Sequence, residues 1–251
     1  MKLFNGLLGI VYLVTTSFHN APKGDLREDK VEIHEVKTEI KKEEVRAEVD
    51  KEVVIKNLYS SIPFESGHQL NFIVFAKALQ GFENLKKAGK LDQDAHILTV
   101  CDFSMSSNTK RLWVLDLKDK QVLFNSLVAH GKNTGEEFAQ YFSNTESSLQ
   151  SSIGFYITDE TYNGSNGYSL KLLGMDPGYN DAALQRAVVM HGADYVSEAF
   201  AAQHKRIGRS WGCPAVPRAL AEPIINTIKD KKCLFIYYPD EQYLNSSQWL
   251  K

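Results

Sequence analysis

The chain has 251 residues, of which 29 are basic and 31 acidic, and a formal net charge of −2. This length suffices for one sizeable domain with a hydrophobic core or for two small ones. The near balance of charge argues against nucleic acid as a partner, because a polyanion is normally bound by an excess of basic residues.

The N-terminus is predicted to direct export. Met1 and Lys2 precede an apolar run from Leu3 to Val14, which small polar residues follow. A run of this length is too short for a comfortable membrane span and is typical of a secretory signal peptide. We expect residues 1–21 to be such a signal or an uncleaved anchor near the membrane. Both alternatives place the rest of the chain outside the cytoplasm, in the periplasm or cell envelope.

A charged segment and a helical segment come next. Residues 22–56 are rich in Lys and Glu and poor in large apolar side chains, which predicts a spacer that is flexible or partly helical. From Asn57 to Leu91 the apolar residues recur three and four positions apart, which predicts helices, with Gly89 as a stop signal.

After this segment the pattern changes to short runs of β-branched and aromatic residues. The predicted strands are Ile97–Cys101, Leu112–Leu117, Val122–Ala129, Gly154–Thr158, Ser169–Leu173, Ala187–Met190 and Cys233–Tyr238, and the helices among them are Asp194–His204 and Arg218–Lys229. Asn163-Gly164 and Asn166-Gly167 predict tight turns. We therefore expect a mainly β domain, sandwich-like or barrel-like, over residues 57–240, with a helical N-terminal part, a few inserted helices and a C-terminal tail at 241–251.

The three cysteines differ in their surroundings. Cys101 and Cys233 lie in apolar runs that indicate buried strands, where cysteine behaves as a small hydrophobic residue. Cys213 lies in the turn-like sequence Ser-Trp-Gly-Cys-Pro. An odd number leaves at least one thiol unpaired in an oxidising compartment, and the sequence leaves open whether Cys101 pairs with Cys233.

Cys213 has the companions that a nucleophilic cysteine needs, which are a base and donors for an oxyanion. His191 and Gly192 end an apolar strand, from which an imidazole can project into a cleft. Gly212 permits a backbone geometry that exposes the sulfur of the next residue. Because Pro214 has no N–H, the expected oxyanion donors are the N–H groups of Gly212 and Cys213.

His191-Gly192, followed by Ser210-Trp211-Gly212-Cys213, resembles the HG…SxGC signature of the murein L,D-transpeptidase (YkuD-like) catalytic domain. Four further segments resemble one branch of this family, and the similarity covers residues 57–240. These segments are Ile97–Ser104, Val128–Gly135, Ser152–Tyr156 and Gly192–Ser197. The best-known branch has a hydrophobic residue and an arginine after its Gly-Cys, whereas this chain has Pro-Ala-Val-Pro. Arg209 or Arg206 is then the expected carboxylate-binding group.

The resemblance implies a cysteine acyltransferase without a cofactor, acting on peptidoglycan stem peptides. Cys213 would attack the carbonyl at the L-centre of the diamino acid in a tetrapeptide stem. His191, oriented by a backbone carbonyl that we expect to be that of Gly192, would take the thiol proton and then protonate the leaving D-alanine. An amine or water would resolve the thioester, giving transpeptidation or carboxypeptidase trimming, and carbapenems would label Cys213. The alternatives are a non-catalytic peptidoglycan-binding module on the same fold and an exported cysteine protease.

Five side chains are expected to contact the substrate: Ser210, Arg209, Trp211, His130 and Tyr156. Structural alternatives stand beside several of them. Ser210 would cap the cysteine turn, His130 would bond to backbone, and Trp211 and Tyr156 would pack. No Cys-x-x-Cys or His-Glu-x-x-His spacing is present, so no metal site is expected.

Overall fold

The computed structural model describes residue 46 and residues 49–251 of the chain. The predictions for residues 1–21, and for most of residues 22–56, fall outside this described part. Within it, no helix is both long enough and apolar enough to cross a membrane.

Glu52–Lys251 forms one compact unit. The helices of the described part are α1 (residues 49–61), α2 (Phe72–Lys87), α3 (Glu198–His204), α4 (Arg218–Ile228) and α5 (Glu241–Ser246), with a 3-10 turn at Gln248–Leu250. Its strands are β1 (Ile97–Asp102), β2 (Leu112–Asp116), β3 (Gln121–Ser126), β4 (Gly154–Gly164), β5 (Gly167–Gly174), β6 (Val189–Ala193), β7 (Ala215–Pro217) and β8 (Cys233–Tyr237). The predicted mainly β fold with a few helices is confirmed.

All eight strands belong to one sheet, in the order β3-β2-β1-β8-β4-β5-β6-β7. The chain leaving β3 at one edge reaches β7 at the other, where the Ala129 N–H donates to the Ala215 carbonyl at 2.8 Å. The sheet is therefore nearly closed. Strand β7 was not predicted, because three residues are too few to show a periodic pattern.

The sheet buries side chains on both faces. One apolar cluster packs α2 against β1, β2, β4 and β8, and a second fills the other face with α4. In the first, the rings of Phe155 and Phe235 stack with centroids 4.1 Å apart. Gly81 of α2 lies directly on them, since a Cβ there would come within 2.0 Å of the Phe155 ring. Helix α2 therefore packs closely on the central strands β4 and β8.

Residues 241–251 belong to the domain core, so the predicted C-terminal tail is wrong. Tyr243 and Trp249 are buried. The buried carboxylate of Asp176 accepts hydrogen bonds from the hydroxyls of Tyr243 and Ser247 and from the Phe155 N–H. The mostly polar sequence of this segment hides its role, because two aromatic side chains provide nearly all of its burial.

The question of a Cys101–Cys233 bridge is answered by the strand register. In the parallel pair β1–β8, Leu98 is opposite Cys233 and Cys101 is opposite Ile236. Because side chains alternate between faces along a strand, the two sulfurs lie on opposite sides of the sheet. Both cysteines are buried free thiols, one in each apolar cluster.

Candidate active site

The cysteine turn is built around the side chain of Ser210. Its hydroxyl donates to the Cys213 carbonyl at 2.6 Å and accepts from the Gly212 N–H at 3.1 Å. The Ser210 main chain is held in turn, because its N–H donates to the His130 carbonyl and its carbonyl accepts from the Lys132 N–H. These contacts correspond to the turn-capping role of Ser210 and fix the backbone around Cys213.

His191 and Cys213 lie on neighbouring segments at one edge of the sheet. The parallel pair β6–β7 places His191 opposite Ala215, two residues after Cys213. Both side chains line a cleft of about 420 Å3. The other lining residues are Ser165, Asn166, Arg186, Ala187, Tyr195, Arg209, Ser210 and Trp211. The cleft therefore contains a thiol, an imidazole and two guanidinium groups, with no carboxylate among its lining side chains.

The imidazole of His191 is held in one tautomer. Its Nδ1 lies 3.1 Å from the Gly192 carbonyl, which can only accept, so Nδ1 carries the proton and Nε2 is a free base. Burial lowers the pKa of His191 below its ordinary value of 6.5, and the nearby charge of Arg218 lowers this pKa further, against the effect of the Gly192 carbonyl. At neutral pH the side chain is therefore an uncharged base.

The Cys213 thiol rests against the main chain that precedes β6. Its Sγ accepts from the Val189 N–H at 3.4 Å and donates to the Ala187 carbonyl at 3.7 Å. Ala187 adopts a left-handed conformation with φ of 53°, which is uncommon for a residue with a Cβ. Burial raises the pKa of the Cys213 thiol, and the Val189 N–H and the Arg186 charge oppose this. The resting thiol is therefore protonated, and no hydrogen bond of the described residues joins it to His191.

The predicted pair of oxyanion donors is reduced to one. The Gly212 N–H already donates to Ser210 Oγ, so its expected role as a free donor is wrong. Pro214 has none to offer. Among the hydrogen bonds of residues 49–251, the Cys213 N–H is donated to no acceptor. Gly212 itself is needed for its shape, with φ of 123° and a hypothetical Cβ only 2.8 Å from the Gln150 carbonyl oxygen.

Two of the predicted substrate-contacting residues join Ser210 in the cleft. Trp211 is 79% exposed at its rim. Arg209 Nη1 donates to the carbonyls of Lys132 and Gly135 and to Glu136 Oε1 at 2.7 Å. Arg206 forms an ion pair with Glu136 but does not line the cleft.

The two other predicted contacts, His130 and Tyr156, lie outside the cleft, which corrects the expectation for both. His130 is 1% exposed; its Nδ1 accepts from Arg111 at 2.8 Å and its Nε2 donates to two carbonyls. Burial and the Arg111 charge lower the pKa of His130 to about 4. Tyr156 is fully buried, and its hydroxyl donates to the Ser152 carbonyl. Both side chains are structural.

Several lining residues were missed by the sequence reasoning. Arg186 and Ala187 lie between β5 and β6, and Ser165 and Asn166 form the turn of the β4–β5 hairpin. Tyr195 follows β6, and burial raises its pKa to about 12. The prediction of a tight turn at Asn166-Gly167 fits this hairpin. No local pattern indicates that the chain brings these positions beside Cys213.

A cysteine and a neutral histidine thus share a cleft at the edge of a nearly closed β sheet. In the described part of the chain, no group of three or more His, Cys, Asp or Glu side chains is placed to hold a metal ion. The model of the L,D-transpeptidase catalytic domain family matches residues 66–237, and the chain belongs to this family.

Comparison with solved structures gives matches at low sequence identity and low TM-score. An L,D-transpeptidase from Mycobacterium smegmatis is 13% identical with a TM-score of 0.36, over 57% of this chain and 59% of that one. The helical cell shape determining protein Pgp2 from Campylobacter jejuni is 14% identical with a TM-score of 0.38, over 66% and 57%. The chain thus spans less than two thirds of the length of these structures. A comparison with curated proteins gave no significant match.

Proposed function

We propose that this protein is a peptidoglycan L,D-transpeptidase with Cys213 as its nucleophile. It cleaves before the terminal D-alanine of a tetrapeptide stem and transfers the acyl group to an amine. The observation that carries the proposal is the sharing of one cleft by Cys213 and a His191 whose Nδ1–H is bound by the Gly192 carbonyl. Membership of the family supports the reaction class.

Acylation follows from this arrangement. His191 Nε2 takes the thiol proton as Sγ attacks the carbonyl carbon at the L-centre of the diamino acid. The carbonyl oxygen becomes an oxyanion, to which the Cys213 N–H donates a hydrogen bond. The C–N bond to D-alanine then breaks, and the proton on Nε2 passes to the leaving amine. The products are free D-alanine and a thioester on Cys213.

Deacylation reverses the proton movement. An amine of a second stem attacks the thioester carbon and gives a proton to His191 Nε2. The C–S bond breaks, and the proton returns to Sγ, which restores the resting thiol. Water in place of the amine gives a trimmed stem, so carboxypeptidase activity is the alternative outcome of the same thioester.

The charge of the cleft fits a substrate with carboxylates. Arg186 lines it without an acidic partner, and Arg209 lines it in an ion pair with Glu136. Stem peptides end in a carboxylate, which such a cleft attracts. The exposed ring of Trp211 offers an apolar surface at the rim for the stem.

We also propose that the protein is exported, since residues 1–21 have the composition of a signal peptide or an anchor. Peptidoglycan lies outside the cytoplasmic membrane, so the proposed substrate requires this location. Expression in a peptidoglycan-producing bacterium followed by cell fractionation tests the proposal. Recovery of the mature chain from the cytoplasm alone would contradict it.

Mass spectrometry of a disaccharide-tetrapeptide incubated with the wild type and with Cys213→Ala tests the reaction. We expect the wild type alone to release D-alanine and to form a cross-linked dimer; loss of D-alanine without a dimer would identify trimming. Binding of the stem by both proteins without turnover by either would favour the non-catalytic module. Turnover by Cys213→Ala would exclude Cys213 as the nucleophile.

A carbapenem provides a second test, because its β-lactam carbonyl offers the same electrophile as the scissile amide. We expect a covalent adduct on Cys213 and none on Cys101 or Cys233, which are fully buried. Peptide mapping after incubation locates the adduct, and Cys213→Ala is the control. Absence of any adduct on Cys213 at high concentration would count against an accessible nucleophile.

A further inference from the structure

Arg186 makes four hydrogen bonds to a single loop. Its Nη1 donates to the Ser143 carbonyl at 2.7 Å and to Ser152 Oγ, and its Nη2 donates to Ser148 Oγ at 3.1 Å and to the Gln150 carbonyl at 2.7 Å. All four terminal N–H hydrogens of the guanidinium are thereby used. Arg186 fixes the loop of residues 143–152 and has no terminal donor left for a substrate.

This loop supports the cysteine turn from behind. Ser151 Oγ donates to the Gly212 carbonyl at 3.0 Å and accepts from the Gly131 N–H. The Gln150 carbonyl oxygen, which accepts from Arg186, would lie only 2.8 Å from a Cβ on Gly212. A chain of contacts therefore connects Arg186 through the loop to Gly212 and so to the position of Cys213.

The charge of Arg186 is not neutralised by its partners. All four acceptors are carbonyls or hydroxyls, whereas Arg206, Arg209 and Arg218 each form an ion pair with Glu136 or Asp194. The Arg186 Nε is buried and donates to no partner in the described part of the chain. The guanidinium is only half-buried at the lining of the cleft, where its charge is less screened than in open solvent. An unpaired cation that shares a cleft with a cysteine has a role if a negative charge forms there during function.

We infer that Arg186 is a positioning residue that holds the cysteine turn by its hydrogen bonds and stabilises the Cys213 thiolate by its unpaired charge. The inference rests on the proposed function in that it identifies the transient anion as the thiolate. The charge of Arg186 acts on the pKa of the Cys213 thiol in the expected direction, opposing the increase caused by burial. The guanidinium stays charged and supplies a fixed field at the sulfur.

Alkylation of Cys213 by iodoacetamide measures this effect without any peptidoglycan. The thiolate sulfur displaces iodide and the thiol proton is lost to solvent, so the rate against pH gives the pKa of the thiol. We expect Arg186→Gln to raise this pKa by about one unit, which lowers the alkylation rate near neutral pH about tenfold. Arg186→Lys keeps the charge and is expected to restore most of the wild-type profile. Peptide mapping separates Cys213 from the two buried cysteines.

Two matched variants separate charge from packing. Ser152→Ala removes one hydrogen bond of the loop and leaves the charge, so we expect a lower unfolding temperature and an unchanged thiol pKa. Arg206→Gln removes a cation outside the cleft, and we expect no change of the profile. An unchanged pKa in Arg186→Gln, or an equal increase in Ser152→Ala, would overturn the inference.

The test also covers a misfolded glutamine variant. If near-UV circular dichroism shows that Arg186→Gln is unfolded, Arg186→Lys decides, because it keeps the charge but not the four contacts. A wild-type thiol pKa in the lysine variant supports the inference, and a pKa raised by about one unit overturns it. Failure of the proposed transpeptidation leaves these alkylation profiles unaffected, so the two proposals fail separately.

Discussion

The chain contains two histidines in nearly the same sequence context, and their surroundings differ. His130-Gly131 and His191-Gly192 each follow an apolar run, and both histidines are buried. Both ring nitrogens of His130 are engaged, by Arg111 and by two carbonyls. Only Nδ1 of His191 is engaged, by its own neighbour, and Nε2 is available to the cleft.

The comparison shows that a structural histidine differs from a candidate catalytic one in whether its second ring nitrogen already has a hydrogen-bond partner. Burial lowers the pKa in both cases, so a shifted pKa does not separate them. The difference lies in tertiary contacts. Arg111, which donates to His130, lies between β1 and β2, and the two carbonyls that accept from His130 lie in the loop that follows it.

The largest effect is expected for His191→Gln. Glutamine can still donate to the Gly192 carbonyl but cannot accept the thiol proton, so we expect kcat/KM to fall about 1000-fold. Release of D-alanine gives the rate, and the unfolding temperature should stay close to that of the wild type. Retention of more than a tenth of the activity would show that another group is the base.

The next effect is a loss of stability in acid caused by His130. Its pKa is about 4 in the folded protein, against an ordinary value of 6.5. Between these values the unfolded chain binds a proton that the folded one does not, so stability is lost as pH falls through this window. His130→Gln, which keeps a donor and an acceptor, should lack this loss, and we expect a difference of about 3 kcal/mol between pH 7 and pH 4. Urea unfolding of both proteins at several pH values measures it; parallel curves would contradict the assignment.

A smaller effect is expected at neutral pH for His130→Leu. This substitution leaves an Arg111 N–H and the Glu136 carbonyl without their partner, whereas the Gly135 carbonyl keeps its hydrogen bond from Arg209. We expect the free energy of unfolding to fall by about 2 kcal/mol. The activity of the folded fraction should stay within a few-fold of the wild type, because His130 does not line the cleft. A 100-fold loss of kcat with unchanged KM would indicate that His130 takes part in catalysis.

The smallest effect is expected for Gly131→Ala. A Cβ there would lie 2.5 Å from the Leu149 carbonyl oxygen and 3.0 Å from Gly212 Cα, so the backbone behind the cysteine turn must shift. Since small displacements of a nucleophile reduce its reactivity, we expect kcat/KM to fall about tenfold. Gly178→Ala is the control for destabilisation away from the site: nothing lies within 4 Å of its Cβ, but its φ of 81° makes alanine strained there. Equal losses in both variants would mean that the effect is general destabilisation.

Periodicity identified most of the sheet and the N-terminal helices. Seven strands and the strand-to-turn context of Cys213 follow from local patterns, because short runs of β-branched and aromatic residues between turn residues leave a direct trace in a sequence. The short β7 and the packed segment 241–251 left no such trace. Their structure depends on a single strand pairing and on two aromatic side chains that reach Met175 and Asp176.

The site was predictable only in part, for the same reason. Cys213 and His191 stand out because a thiol and an imidazole each lie beside a glycine at the end of an element. Arg186 and Tyr195 are unremarkable in their local sequence, and only the folded chain brings them to the cleft. Gly212 was correctly marked as special, but its N–H is consumed by a serine two residues away.

The Ala187 carbonyl has a consequence for the lifetime of the protein. It holds the Cys213 sulfur as a thiol, and peroxides and other oxidants attack chiefly thiolates. Neither Cys101 nor Cys233 is positioned to form a disulfide that would rescue an oxidised nucleophile. A permanently ionised cysteine nucleophile would stay open to oxidation as far as sulfinic acid, which is irreversible in most proteins. In this protein burial and the Ala187 carbonyl favour the protonated thiol, so the resting nucleophile is chemically latent toward such oxidants.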